Sequence, residues 1–138
     1  MTNSLVEAAK WLKRKVVGER GATFTKRFQC GVAPGGKVLL FKPDGSPMLV
    51  KDIEPLMLFV PSDGKHGGSK RVERIFPTVH DWIAKGAVTV FDGKISSDQF
   101  EDHLLCVGQY VGWGAMRVAN GGINGRFSIT SMEFEEIA

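Results

Sequence analysis

The residues best suited to chemistry fall between Val107 and Ile129, in the run VGQYVGWGAMRVANGGINGRFSI. Of its six glycines, Gly108 is the second residue, and Gly112, Gly114, Gly121, Gly122 and Gly125 lie among Arg117, Asn120, Asn124 and Arg126. Glycine lacks a Cβ and tolerates positive φ, so such a backbone can bring N–H groups against an anion. The guanidinium groups of Arg117 and Arg126 would pair with the same phosphates. The pattern predicts a loop that grips a phosphate or a nucleic-acid backbone. It is not a mononucleotide loop, because G-x-x-x-x-G-K-[ST] does not occur. It also follows a helical pattern, whereas a dinucleotide fingerprint must follow a strand. Nucleotide hydrolysis and dinucleotide chemistry are set aside on those grounds.

The other chemistry-bearing side chains are scattered. His66, His80 and His103 fall on a loop, a strand start and a helix, with no motif spacing between any two. No Ser/His/Asp or Cys/His signature appears. His80-Asp81 reads as an ordinary turn and His66 as an exposed loop residue. Cys30 and Cys106 have neither metal-ligand spacing nor the density of a disulfide scaffold, so reduced structural thiols are expected. The sequence predicts no enzyme, no cofactor and no metal.

Charge points the same way as the loop. The net charge is only +3, but Lys10, Lys13, Arg14, Lys15, Arg20, Lys26 and Arg27 stand against one acid, Glu19, between positions 10 and 27. Lys65, Lys70, Arg71 and Arg74 form a second basic cluster, and Glu133, Glu135 and Glu136 gather near the end. Basic surfaces of this kind attract polyanions; a solvated helix face is the plainer alternative. No apolar run approaches the roughly 18–20 residues that span a bilayer. The first residues lack the uninterrupted apolar core of a secretory signal. A cytoplasmic protein without a membrane partner is expected.

The elements that must position these residues follow from periodicity. With 138 residues, 43% hydrophobic and 24% charged, a single domain over 1–138 is expected. Leu5, Ala8, Leu12 and Val16 predict a helix from Ser4 to Val17, stopped at Gly18. Trp11 lies beside that stripe and reads as a core edge rather than a stacking platform. Ala22–Phe28 alternates in part, with Phe24 and Phe28 on one face, and is read as a strand or extended segment. Strands are expected at Lys37–Phe41, within Ile53–Val60, at Lys70–Pro77 and from Trp82 to Phe91, with Gly86 at a bulge. Pro43-Asp44-Gly45 is a turn, and 61–70 is a flexible loop. Ser96 with Gln99 makes a capping-box pattern for a second helix to about Tyr110. After the glycine loop, Arg126–Met132 reads as a final strand with Phe127 and Ile129 on one face. The order resembles a β-α-β-β-α-β ferredoxin-like unit whose first strand is missing, is filled by one of the early segments, or is supplied by a second subunit. The fold class is α+β, a ferredoxin-like antiparallel sheet with two helices.

The sequence of helix, G-x-G, arginine, Gly-Gly and Gly-Arg-Phe resembles the glycine-rich loop of the RAMP superfamily. Those RNA-binding proteins form the backbone and crRNA-processing subunits of CRISPR surveillance complexes. More narrowly, Gly108, Gly112, Gly114, Arg117, Gly121, Gly122, Gly125, Arg126 and Phe127, with Phe76, Pro77 and Trp82 upstream, resemble a pattern of uncharacterised phage and prophage proteins. The likeness covers the second half of the chain well and the first half loosely. This chain has Arg117-Val118 where those proteins carry Arg-Pro, and it begins at the helix. The resemblance implies a single-stranded nucleic acid as partner, RNA ahead of DNA, in a bacterial host cell if the protein is phage-encoded.

The expected interface is therefore Gly112, Trp113, Gly114, Arg117, Gly121, Gly122, Gly125 and Arg126, with Arg14, Lys15, Lys70, Arg71 and Arg74 supplying the wider field. Trp113 and Phe76 could stack on bases, with burial as the alternative for Trp113. For Arg126 the alternative is a salt bridge to Glu133 or Glu135. The competing function is a non-catalytic structural or inhibitory protein that assembles with itself or with a host complex.

Overall fold

The computed structural model describes residues 1–64, 67 and 70–137. It is an α+β protein. Its contacts divide it into two compact units, Met1–Gly36 with Ala87–Ala138, and Lys37–Gly86. The first carries helices α1 (Thr2–Leu12), α2 (Phe24–Cys30) and α3 (Ser97–Cys106), and strands β1 (Val32–Pro34) and β6 (Val88–Val90). The second carries β2 (Leu39–Phe41), β3 (Glu54–Pro61), β4 (Arg71–Thr78) and β5 (Ile83–Lys85).

In the helix-bearing unit the apolar stripe of α1 buries Leu5, Ala8 and Ala9 against α2, α3 and the turn that follows α3. The helix is shorter than its stripe predicts. Lys13 takes a left-handed conformation (φ 50°) and its N–H closes on Ala9. Val16 is buried nevertheless, because the chain folds back so that its N–H donates to the Ala22 carbonyl. An apolar residue four places past Leu12 matches a helical stripe, but an extended return path buries it equally well.

The segment read as a strand at Ala22–Phe28 is helical from Phe24. Residues four apart share a face under either a period of 2 or one of 3.6, so Phe24 and Phe28 did not discriminate. Packing decides for the helix. Phe28 lies against Phe24, Phe100 and His103 with ring centroids 6.2, 6.4 and 4.5 Å away. Arg27, one residue earlier, bridges Glu19 and Asp92, with 2.7 Å to the Asp92 Oδ2.

The expected cap of α3 is present: the Gln99 N–H donates to Ser96 Oγ at 3.3 Å. Helical structure continues past Cys106 as a π-turn over Val107–Val111. Gly108 is buried there, and the Phe127 N–H donates to its carbonyl. A Cβ at Gly108 would collide with the Phe127 carbonyl oxygen. The chain after the loop thus docks on the end of a helix, and residues 126–132 form no ladder. The strand expected there is corrected to an extended segment, although Phe127 and Ile129 are the half-buried positions and Ser128 and Thr130 the exposed ones, as alternation predicts.

The strand expected from Trp82 to Phe91 is two strands in two units. β5 pairs with β2, and β6 with β1, both antiparallel. The break falls at Gly86-Ala87, where a bulge was expected. Within the ribbon unit β3 and β4 form an eight-pair antiparallel hairpin in which Met57 faces Ile75 and Leu58 faces Arg74. The described strands therefore pair as three separate two-stranded ladders rather than in one sheet. The turn at Pro43–Gly45 is as expected: Asp44 Oδ1 accepts from the Ser46 N–H at 2.8 Å. Part of the loop expected at 61–70, including Lys65 and His66, lies outside the described residues.

Candidate nucleic-acid interface

The glycine loop leaves α3 through the π-turn and re-enters the helix-bearing unit at Phe127. Inside it the glycines permit backbone to cross backbone. A Cβ at Gly122 would meet the Met116 carbonyl oxygen, and one at Gly125 the Trp113 carbonyl oxygen. The N–H groups of Gly112, Trp113, Gly121 and Gly122 donate to the carbonyls of Val107, Gly125, Val118 and Arg117 at 2.6–3.1 Å. These donors serve the loop itself. Gly112 is buried, and Gly114 is the exposed member of the G-x-G pair.

The two loop arginines have opposite surroundings. Arg117 Nη2 pairs with Glu7 Oε2 of α1 at 3.0 Å, and its Nε is buried without a hydrogen-bond partner among the described residues. Arg117 and Glu7, with Asn3, Val6 and Lys10, line an open hollow of 330 Å³. Arg126 is exposed and donates from Nε to the Gln109 carbonyl at 3.3 Å. Among the described residues no carboxylate pairs with it, so the salt bridge to Glu133 or Glu135 considered for it does not form; the loop arginine that is ion-paired is Arg117, with Glu7. Trp113 is half-buried, its ring 4.7 Å from that of Phe127.

Of the wider basic residues, Arg14 pairs with Asp102 at 2.5 Å and Lys15 donates to the Gly21 carbonyl. Lys10 and Lys13 are exposed and have no carboxylate partner among the described residues. Lys70, Arg71 and Arg74 are exposed on the ribbon unit, with Arg74 Nη2 on the Ser62 carbonyl at 3.2 Å. Phe76 is half-buried on the hairpin face that also carries Leu56 and Leu58.

Sequence reasoning missed one feature. Trp11 is 63% exposed, and it stacks on Tyr110 of the π-turn with centroids 5.7 Å apart and planes 7° apart. The available signal was its position outside the Leu5–Ala8–Leu12 stripe. Nothing in the sequence paired it with Tyr110, far along the chain.

His103 and Cys106 are titratable groups of the packed interior. His103 has no solvent exposure, donates from Nδ1 to the Gln99 carbonyl at 2.6 Å, and lies between Phe24 and Phe28. Burial depresses its pKa below the ordinary imidazole value, so it is neutral. Burial also pushes the Cys106 thiol up, which keeps it protonated. Asp92 is held below the usual carboxylate range by the Lys94 N–H and then by Arg27. Among the described residues no group of His, Cys, Asp or Glu side chains could hold a metal ion. No helix among them is long and apolar enough to cross a membrane. No family model, curated protein or solved structure matches the chain.

Proposed function

We propose that the protein binds single-stranded nucleic acid, RNA ahead of DNA, through the basic surface of its helix-bearing unit, without catalysis. The observation that carries this reading is the set Lys10, Lys13 and Arg126. All three are exposed and free of carboxylates among the described residues, while Glu7 and Asp102 of the same unit are engaged by Arg117 and Arg14. Unneutralised cations attract a polyanion and release its counterions on binding. The glycine loop contributes by fixing Arg126 on the Gln109 carbonyl. The ferredoxin-like and RAMP-like character of the chain belongs to this proposal, supported by the order of helix, glycine loop and extended segment.

The test is a salt titration of a labelled single-stranded oligonucleotide against protein cleared of copurifying nucleic acid. A steep loss of affinity with salt supports phosphate neutralisation. No binding at low salt defeats the proposal.

A second reading, an assembly protein, rests on the β3–β4 hairpin. One of its faces exposes Met57, Phe59 and Ile75, at 57%, 63% and 64%. Neither edge of this ladder is paired among the described residues, and open edges invite another strand. Light scattering across a concentration series tests it, and a monomer throughout excludes self-assembly.

A further inference from the structure

The Trp11–Tyr110 stack is the most exposed aromatic surface of the helix-bearing unit with a defined geometry. The two rings are 63% and 52% exposed and nearly parallel, so each uses one face on the other and leaves the rest to solvent. Helix α1 and the π-turn supply one ring each. Both elements carry core residues, Leu5, Ala8 and Ala9 on one side and Val107 and Val111 on the other. The pair is thus held by the packed core, not by a free loop.

Exposed cations adjoin the rings in sequence and through Gln109. Lys10 precedes Trp11, and Lys13 follows it at the helix end, both exposed. Gln109, beside Tyr110, anchors Arg126. Glu7, one helical turn before Trp11, is taken up by Arg117 at 3.0 Å, and Asp102 by Arg14 at 2.5 Å. A flat π surface bordered by unneutralised cations matches a ligand that is itself planar and aromatic on an anionic backbone. A nucleobase meets that description only when unstacked, since both faces of a duplex base are already covered.

We propose that Trp11 and Tyr110 form a base-stacking platform for a single-stranded nucleic acid, with Lys10, Lys13 and Arg126 meeting the flanking phosphates. This rests on the nucleic-acid reading above and moves its stacking surface from Trp113 and Phe76 to Trp11. Stacking of this kind tolerates any base, because every base has a π face.

The experiment compares two labelled strands of equal length and charge, one a short oligothymidylate and one with every base replaced by an abasic site. Each is titrated at one salt concentration against the full chain and against Trp11→Ala, Tyr110→Ala and Trp11→Phe. The parent binds the base-bearing strand roughly tenfold tighter than the abasic one. Trp11→Ala and Tyr110→Ala each collapse that ratio towards one, and Trp11→Phe retains most of it. Both alanine variants keep the parent's helical circular dichroism, since the rings are exposed; should one misfold, the other decides. Equal affinity of the parent for both strands overturns the platform and leaves electrostatic binding standing. A ratio unchanged in both alanine variants overturns it as well. Failure of both strands to bind at low salt removes the nucleic-acid reading and this inference with it.

Discussion

Leu5, Phe28, Val107 and Val111 of the helix-bearing unit have no solvent exposure, whereas no described residue of Lys37–Gly86 is buried. The first unit is held by side chains from three helices converging on one cluster. The second is held by ladder hydrogen bonds and cross-strand pairs, and it exposes Leu39, Leu40, Met57, Phe59 and Ile75. Ladder contacts contribute about 0.2–1 kcal/mol per side-chain pair, whereas a fully buried large apolar side chain contributes about 1.5–3 kcal/mol. The contrast explains where precise geometry is found: the Trp11–Tyr110 stack and the arginine placements grow from the unit with the core.

The largest effect that tests this contrast is Phe28→Ala. It removes a ring packed on three others and costs about 3–5 kcal/mol, whereas Phe59→Ala in the hairpin stays within about 0.5 kcal/mol. Urea unfolding followed by circular dichroism at the helix band reads the first unit, which holds all three α-helices. A loss from Phe59→Ala of similar size, read at the strand band, would mean that the ribbon has a core of its own. Glycines sharpen the comparison next. Gly125 (φ +81°) has the Trp113 backbone against it, and Gly45 (φ +86°) has open space. Gly125→Ala is expected to cost on the order of 3 kcal/mol, combining left-handed strain with loss of the Trp113–Gly125 bond. Gly45→Ala carries the strain alone, about 1–2 kcal/mol.

The two units should also separate by pH. His103 is buried neutral, with its pKa below the unfolded value of 6.5. The unfolded chain therefore binds the proton more readily, and the stability this histidine contributes is complete above pH 6.5 and declines as pH falls below it. Urea midpoints at the helix band, measured from neutral to mildly acidic pH, should show that decline in the parent and a smaller one in His103→Phe. Binding gives a weaker discriminator. Arg126→Ala should lower the slope of log affinity against log salt by about one, and Arg71→Ala by less. The reverse ranking would move the interface to the ribbon. The smallest change is Arg14→Ala, whose ion pair with Asp102 is 44% and 38% exposed and is worth at most about 1 kcal/mol. A larger loss in the same unfolding assay would make that pair part of the core's support.

Much of the local structure was legible. Ser96 and Gln99 announced the cap of α3, Asp44-Gly45 the turn, and Lys70–Pro77 nearly the whole of β4. The basic run from Lys10 to Lys15, most of it just past the end of α1, and the glycine loop after a helix were legible too. The partners of the charged groups were not. Arg117 and Glu7 are 110 positions apart, and Arg126 and Gln109 meet only because the chain returns to the π-turn at Gly108.

Composition, periodicity and turn chemistry act over a few residues, and they determined an α+β chain with an N-terminal helix leading into a basic run and a glycine-rich crossing before its last segment. Tertiary structure decided that Phe24–Cys30 is a helix, because ring packing outweighs an ambiguous period. It decided that 126–132 docks on a helix rather than in a sheet, because Gly108 leaves room for the Phe127 backbone. It decided which arginine is neutralised and that Trp11 faces solvent against Tyr110. Each of these depends on residues far apart in the chain, whose energies enter only once the fold has brought them within contact distance.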